Sequence, residues 1–154
     1  MYFQSIPIDP ITDLSAIPYK SAEEIGCFKI DFLHLNVYSH FTSRSDIVEL
    51  LKIEPDWNLL TIPSVVNQLF QISKHYELIT KVTPRSILSL ADCLALIRPQ
   101  KRFLLDKYVT DPTRWRSELY KLDGDDYAFK KSHAISYALV IILQLHLISG
   151  GINL

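Results

Sequence analysis

The segment of residues 134–148 constrains the fold more than any other part of the chain. It reads AISYALVIILQLHLI, which is apolar on almost every side of a helix, and Gly150 and Gly151 follow it. A helix that is apolar all round is normally buried. The run is shorter than the roughly 20 apolar residues that cross a bilayer, and it contains polar side chains. We therefore predict the core helix of an all-α domain, without membrane contact.

A thin polar line should be the exposed part of this last helix. It consists of His133, Ser136 and Gln144. The remaining surface is apolar and predicts side chains that are almost fully buried, namely Ile135, Leu139, Ile142, Leu143 and Leu147.

Length and cysteine usage indicate one cytoplasmic domain. A chain of 154 residues, of which 48% are hydrophobic, can bury one substantial core. Cys27 and Cys93 form no CxxC pair, and no cationic-then-apolar leader opens the sequence, so neither disulfides nor secretion is indicated. Residues 2–5 (YFQS) match the end of a viral-protease tag-cleavage site, so residues 1–5 are given no functional role.

Prolines near the N-terminus separate an extended arm from the helical domain. Pro7, Pro10 and Pro18 predict an extended arm over residues 1–20, followed by a helical domain over residues 21–154. Ser21 and Glu24 have the spacing of a capping box and predict a helix that runs to about residue 41. The alternation in FKIDF (residues 28–32) leaves a strand as the alternative.

Further helix starts follow at serines and prolines. Ser43 or Ser45 can cap a short helix that runs to about residue 52. Prolines are favoured in the first helical turn, and four of them predict helix starts: Pro63, Pro84, Pro99 and Pro112. The LDGDD turn (residues 122–126) then leads into the last helix, with Asp125 and Asp126 near its positive end. The sequence thus predicts a compact bundle of about seven short helices.

Several enzyme classes are excluded because the chain lacks their motifs. With only 4 glycines, the chain has no GxGxxG or GxxxxGK[ST] loop for a nucleotide. It also has no GxSxG elbow, HExxH motif or zinc-finger spacing. No cofactor is predicted, and the Cys93 thiol in its apolar helix is expected to be inert.

One cluster leaves a metal site as an alternative. Cys27, Asp31 and His34 would share one face of the predicted first helix, and thiolate, carboxylate and imidazole all bind zinc. Three ligands on one helix are unusual. We therefore favour a packed cysteine with polar neighbours and predict no metal.

Basic residues are concentrated in the second half. Residues 1–80 carry 5 basic and 10 acidic side chains, whereas residues 81–154 carry 11 basic and 7 acidic ones. Aromatic residues alternate with the basic ones, a combination that suits a phosphate backbone. The candidate nucleic-acid-binding residues are Arg98, Lys101, Arg102, Arg114, Arg116, Lys130 and Lys131. The alternative is an ordinary solvated surface whose arginines pair with Asp106, Asp111 and Glu118.

The compact helical organisation with these seven basic residues resembles the small helical subunit of CRISPR effector complexes. The resemblance covers residues 43–148 and lies in the overall organisation. It implies a non-enzymatic bundle that stacks along other subunits and steadies a nucleic-acid strand.

These observations predict a non-enzymatic interaction subunit that works within a larger assembly or a homo-oligomer. The same subunit can also contact nucleic acid. In this hypothesis the basic helices contact an RNA or DNA backbone, while the arm and the acidic first half dock on protein. Two alternatives are left open: a small metal-dependent enzyme built on Cys27, Asp31 and His34, and a helical protein that binds a small ligand.

Overall fold

The computed structural model describes residues 7–12, 15–27, 35–121, 129–152 and 154. The chain divides into two compact units, residues 1–34 and residues 35–154, which are described separately. The predicted boundary at residue 20 lies within the first unit.

The first unit contains a short helix, α1, over Tyr19–Glu24. Ser21 lies inside this helix, so its predicted role as a cap is wrong. The helix ends in a turn in which Gly26 has φ +86°, while the backbone N–H of Cys27 donates to the carbonyl of Ala22 (2.9 Å). This is a Schellman ending, for which glycine is favoured. The predicted continuous helix to residue 41 is therefore wrong. Residues 28–34, with the alternative strand, lie outside the described residues.

In the N-terminal part of this unit, Ile8 and Ser15 form an isolated antiparallel bridge. The backbone N–H of Ala16 donates to the carbonyl of Pro7 (2.7 Å) beside it. The two ends of this segment therefore lie side by side.

All regular elements in the described part of the second unit are helices, which confirms the predicted all-α class. Its α-helices are α2 (Arg44–Leu50), α3 (Pro63–Val66), α4 (Tyr76–Val82), α5 (Ile87–Leu96), α6 (Leu105–Thr110), α7 (Pro112–Leu119) and α8 (Lys131–Ser149). The 3-10 helix Asn36–His40 precedes α2, and the 3-10 helices Trp57–Thr61 and Pro99–Leu104 lie before α3 and α6.

Local capping signals fix several of these starts. Ser43 caps α2 with a capping box that includes Asp46, and Asp111 caps α7 immediately before Pro112, as predicted. Pro84 does not begin α5, because that helix is capped by Ser86. The predicted N-terminal residues of α8, Asp125 and Asp126, lie outside the described residues.

The helix predicted to follow Pro63 breaks after one turn. α3 ends at Val66, and Gln71 has the left-handed φ of 63° before α4 begins. The freed backbone N–H of Phe70 donates to Oε1 of Gln144 on α8 (2.8 Å). Gln144 is consequently buried, so its predicted place on the exposed polar line is wrong, whereas His133 and Ser136 are exposed as predicted.

The core is centred on α5 and α8, which pack against each other. α8 ends at Gly150, as predicted, and contributes to two apolar clusters. The buried side chains of Ile142, Leu143 and Leu147 confirm the prediction, but Ile135 and Leu139 are only partly buried.

By length and composition alone, α8 is long and apolar enough to cross a membrane, and half of its most apolar window is buried inside the fold. The core helix of a soluble protein passes the same test.

Candidate nucleic-acid interface

Arg98 lies at the start of the 3-10 helix Pro99–Leu104, where its side chain meets an aromatic ring. Its guanidinium carbon lies 4.3 Å from the centroid of the Phe129 ring. One terminal nitrogen of the guanidinium is 3.4 Å from Oε1 of Gln71. The Arg98 Nε is buried with no hydrogen-bond partner among the described residues. The ring and Gln71 thus hold this cation beside α8.

Arg102 lies one turn further along and is exposed. Its Nη1 is 3.5 Å from Nδ1 of His75, at the start of α4. Burial lowers the pKa of His75, and the positive charges of Arg102 and Arg98 lower it further. The neutral imidazole is therefore favoured in this positively charged region.

Two more rings on or next to α7 carry cations. Lys107 Nζ lies 4.8 Å and the Arg114 guanidinium carbon 5.4 Å from the centroid of Trp115. Lys131 Nζ lies 6.0 Å from the centroid of Tyr120. Cation–aromatic attraction holds such charges near partly exposed rings.

Aromatic side chains continue along α8. The Phe129 ring lies 5.9 Å from that of Tyr137 and 6.5 Å from that of His133, and Phe70 contacts Tyr137 edge-on at 5.2 Å. The His133 ring is exposed, and the other three rings are half-buried and pack against the core. The Phe129 ring places a flat, polarisable surface beside Arg98.

We use the name cation–aromatic set for the basic residues at these rings and their exposed neighbours. The set comprises Arg98, Arg102, Lys107, Arg114, Lys130 and Lys131, with the rings of Trp115, Tyr120 and Phe129. The set contains three ring contacts, at Phe129, Trp115 and Tyr120. Phe129 contacts Arg98 and Lys131 contacts Tyr120, so the residues at the start of α8 take part in two of these three contacts.

Arg116, a predicted binding residue, instead completes a polar cluster inside the helices. Asp92 on α5 is fully buried and accepts hydrogen bonds from Tyr108 Oη (2.6 Å), Arg116 Nε (2.6 Å) and Tyr120 Oη (2.9 Å). The hydrogen bond to Asp92 raises the pKa of Arg116. Burial and the Asp92 carboxylate raise the pKa values of both tyrosines. This cluster joins α5 to α6 and α7.

Lys101, another predicted binding residue, is also buried. Its Nζ donates to the backbone carbonyl of Lys121 (2.9 Å). Lys101 and Arg116 therefore support the fold, and the other five predicted residues present their charges at or near the surface.

The acidic residues proposed as alternative arginine partners have contacts of their own. Asp106 lies 3.3 Å from Lys81 Nζ, and Glu118 lies 3.6 Å from Lys121 Nζ. Asp111 accepts the backbone N–H of Arg114 as a helix cap (3.1 Å). The partners of Asp106 and Glu118 are thus lysines rather than the predicted arginines, and both are exposed ion pairs of the kind found on an ordinary solvated surface.

The alternative metal site required Cys27, Asp31 and His34 to share one face of the first helix. α1 ends at Glu24, before Cys27, and Asp31 and His34 lie outside the described residues. The described part of the chain contains no group of three His, Cys, Asp or Glu side chains that could hold a metal ion. Cys93 is fully buried, and burial raises the pKa of its thiol, so this group is a poor nucleophile.

Two polar features of the structure, a buried cluster and a pocket, have no counterpart in the sequence-based predictions. One is the buried cluster around Asp92. The sequence signal that could have predicted it is a carboxylate within an otherwise apolar helix, because a buried charge needs hydrogen-bonding partners. The other is a pocket beside His75 and Arg102, whose parts are distant in sequence.

No protein-family model, no curated protein and no solved structure matches this chain.

Proposed function

We propose that this protein is a non-enzymatic subunit of a cytoplasmic nucleoprotein assembly and contacts a nucleic-acid backbone through its cation–aromatic set. The observation that carries the proposal is the repeated placement of basic side chains over partly exposed rings, at Phe129, Trp115 and Tyr120. Proteins that bind single strands combine the same two elements, positive charge for phosphates and rings for bases.

The side-chain types in the set support contact with the nucleic-acid backbone without recognition of base sequence. Lysine and arginine neutralise phosphates, and a ring can stack on any base. The resemblance to the small helical subunit of CRISPR effector complexes makes such a complex one candidate assembly.

A different surface supports docking on protein. Ile53 and Leu88 are 58% and 42% exposed, and both line a groove of about 420 Å³ between the end of α2 and the start of α5. Exposed apolar side chains around a groove are common at protein interfaces. We propose that this part of the second unit faces a protein subunit.

Fluorescence anisotropy with a labelled single-stranded oligonucleotide of mixed sequence tests the nucleic-acid proposal. Each phosphate contact contributes about −0.7 to the slope of log K against log salt on single strands, so one contact for each basic residue of the set gives a slope of about −4. The triple variant Arg102→Gln/Lys130→Gln/Lys131→Gln should flatten that slope by about 2. It leaves the structural residues Lys101 and Arg116 intact.

The matched control removes three exposed positive charges elsewhere, in Arg44→Gln/Lys52→Gln/Lys81→Gln. This variant has the same net charge, so its slope should stay close to that of the unmodified protein. Equal effects of the two triple variants would reduce binding to general electrostatics and contradict the proposed surface. Absence of binding at low salt would eliminate the proposal.

A further inference from the structure

The structure contains a pocket of about 470 Å³ between the 3-10 helix Pro99–Leu104 and the segment that leads into α4. Polar side chains dominate its lining, which includes Asn67, Ser73, Lys74, His75, Glu77 and Arg102. These groups include amide, hydroxyl, ammonium and guanidinium donors, the types that bind oxyanions.

The part of the pocket around His75 is held in place by the backbone. The N–H of His75 donates to the carbonyl of Ile72 (2.9 Å), and the carbonyl of His75 accepts from the N–H of Ile79 (3.1 Å). The Tyr76 hydroxyl donates to the carbonyl of Thr61 (2.8 Å), which anchors the adjacent side chain. The His75 backbone and the Tyr76 side chain are therefore held in place before a ligand binds.

The charges around the imidazole are mainly positive. Lys74 and Arg102 line the pocket together with the single carboxylate of Glu77, and Arg98 lies close behind on Gln71. Burial lowers the pKa of His75, and the positive charges of Arg102 and Arg98 lower it further. An anion bound here would offset these positive charges.

The charges of the site favour one kind of phosphate. A strand interior carries one charge on each phosphodiester, whereas a group that ends the molecule can carry more charge and can enter an open pocket. A phosphate monoester carries up to two charges near neutral pH and three terminal oxygens. The two cations of Lys74 and Arg102, with the neutral donors beside them, match that group better than an internal phosphodiester.

We infer that the pocket formed by Lys74, His75 and Arg102 binds a phosphate monoester, supplied either by the end of a nucleic-acid strand or by a free nucleotide. This inference deepens the proposed function, because Arg102 belongs to both the pocket and the cation–aromatic set. Lys74 and His75 belong to the pocket alone, so they allow the two proposals to be tested separately.

The test is an NMR titration of the full chain labelled with ¹⁵N-histidine, with His75 identified from the spectrum of His75→Gln. Adenosine 5′-monophosphate should shift the His75 resonances and raise the pKa of this residue, because the bound anion favours the imidazolium. Adenosine, which lacks the phosphate, should do neither. Equal responses to the two compounds, or none to either, would overturn the inference.

Oligonucleotides of one sequence, with a 5′-phosphate, a 3′-phosphate or neither, distinguish the source of the group. If a strand end is bound, one phosphorylated form should bind about tenfold more tightly than the unmodified strand, the size of one charge-assisted hydrogen bond. Lys74→Gln should remove that preference. The control Lys81→Gln, at the other end of α4, should keep it.

The outcomes separate the inference from the proposed function. A response to adenosine 5′-monophosphate without any strand preference supports the pocket with a free nucleotide as its ligand. Binding of all strands with no terminal preference and no His75 response overturns the pocket and retains the proposed function. A His75 response to the nucleotide without binding of any strand retains the pocket and overturns the proposed function.

Discussion

Replacement of Asp92 tests whether the buried polar cluster stabilises the helical unit. Asp92→Ala removes the shared acceptor of Tyr108, Arg116 and Tyr120. Removing one partner of a buried ion pair costs about 3–5 kcal/mol. The Arg116 side chain is 32% exposed and can regain hydration, which places the expected cost at the lower end of that range. The buried Tyr108 hydroxyl cannot, and its lost partner accounts for about 1–3 kcal/mol of the cost.

We therefore expect Asp92→Ala to lower the free energy of unfolding by about 3 kcal/mol, a large part of the 5–15 kcal/mol usual for a domain. Urea unfolding followed by far-ultraviolet circular dichroism measures this change. With a slope of about 2 kcal/mol per molar urea, the midpoint should fall by about 1.5 M. The control Asp106→Ala removes an exposed carboxylate paired with Lys81 and should cost under about 1 kcal/mol.

A double-mutant cycle with Tyr108→Phe isolates the contact. In the unmodified protein this change should cost about 1 kcal/mol, because Asp92 loses a donor. In the Asp92→Ala background it should cost almost nothing, since the hydroxyl has already lost its acceptor. Additive effects within about 0.5 kcal/mol would refute the idea that the two residues act as one cluster.

Two further predictions concern the core and pH. Leu143→Ala, at a side chain that is 1% exposed, should lower the free energy of unfolding by about 2–5 kcal/mol, whereas Leu139→Ala at a partly buried position should cost less; equal costs in urea unfolding would contradict the assigned burial. The pKa values of Tyr108 and Tyr120 are raised in the folded state, so unfolded tyrosines ionise first as pH increases. Stability from these groups should be fully present below about pH 10 and decline above it, and Tyr108→Phe/Tyr120→Phe should weaken this decline in urea titrations at increasing pH.

Features set by neighbouring residues could be predicted from the sequence. The apolar run of α8, its stop at Gly150 and the caps at Ser43 and Asp111 depend on contacts within a few positions. The first helix shows the limit of such signals, since a serine and a glutamate at capping-box spacing occur inside and at the end of α1.

Features set by distant residues could not be predicted in this way. The break after Val66 leaves Phe70 without a helical partner, and Gln144, far along the chain, supplies one. Five of the seven predicted basic residues remain available for the proposed interface. Arg116 and Lys101 are not available, because they bind Asp92 and the Lys121 carbonyl. These partners become neighbours only in the folded chain, so the pairing could not be predicted from the sequence.

The position of α8 has a consequence for how the second unit opens. One side of the helix belongs to the main apolar cluster through residues such as Ala138 and Ile141, and another belongs to the smaller cluster through Val140 and Leu143. Neither cluster can come apart without uncovering the helix that completes the other. Local fluctuations therefore release little of α8, and its central amide protons should exchange with solvent chiefly when the whole unit unfolds.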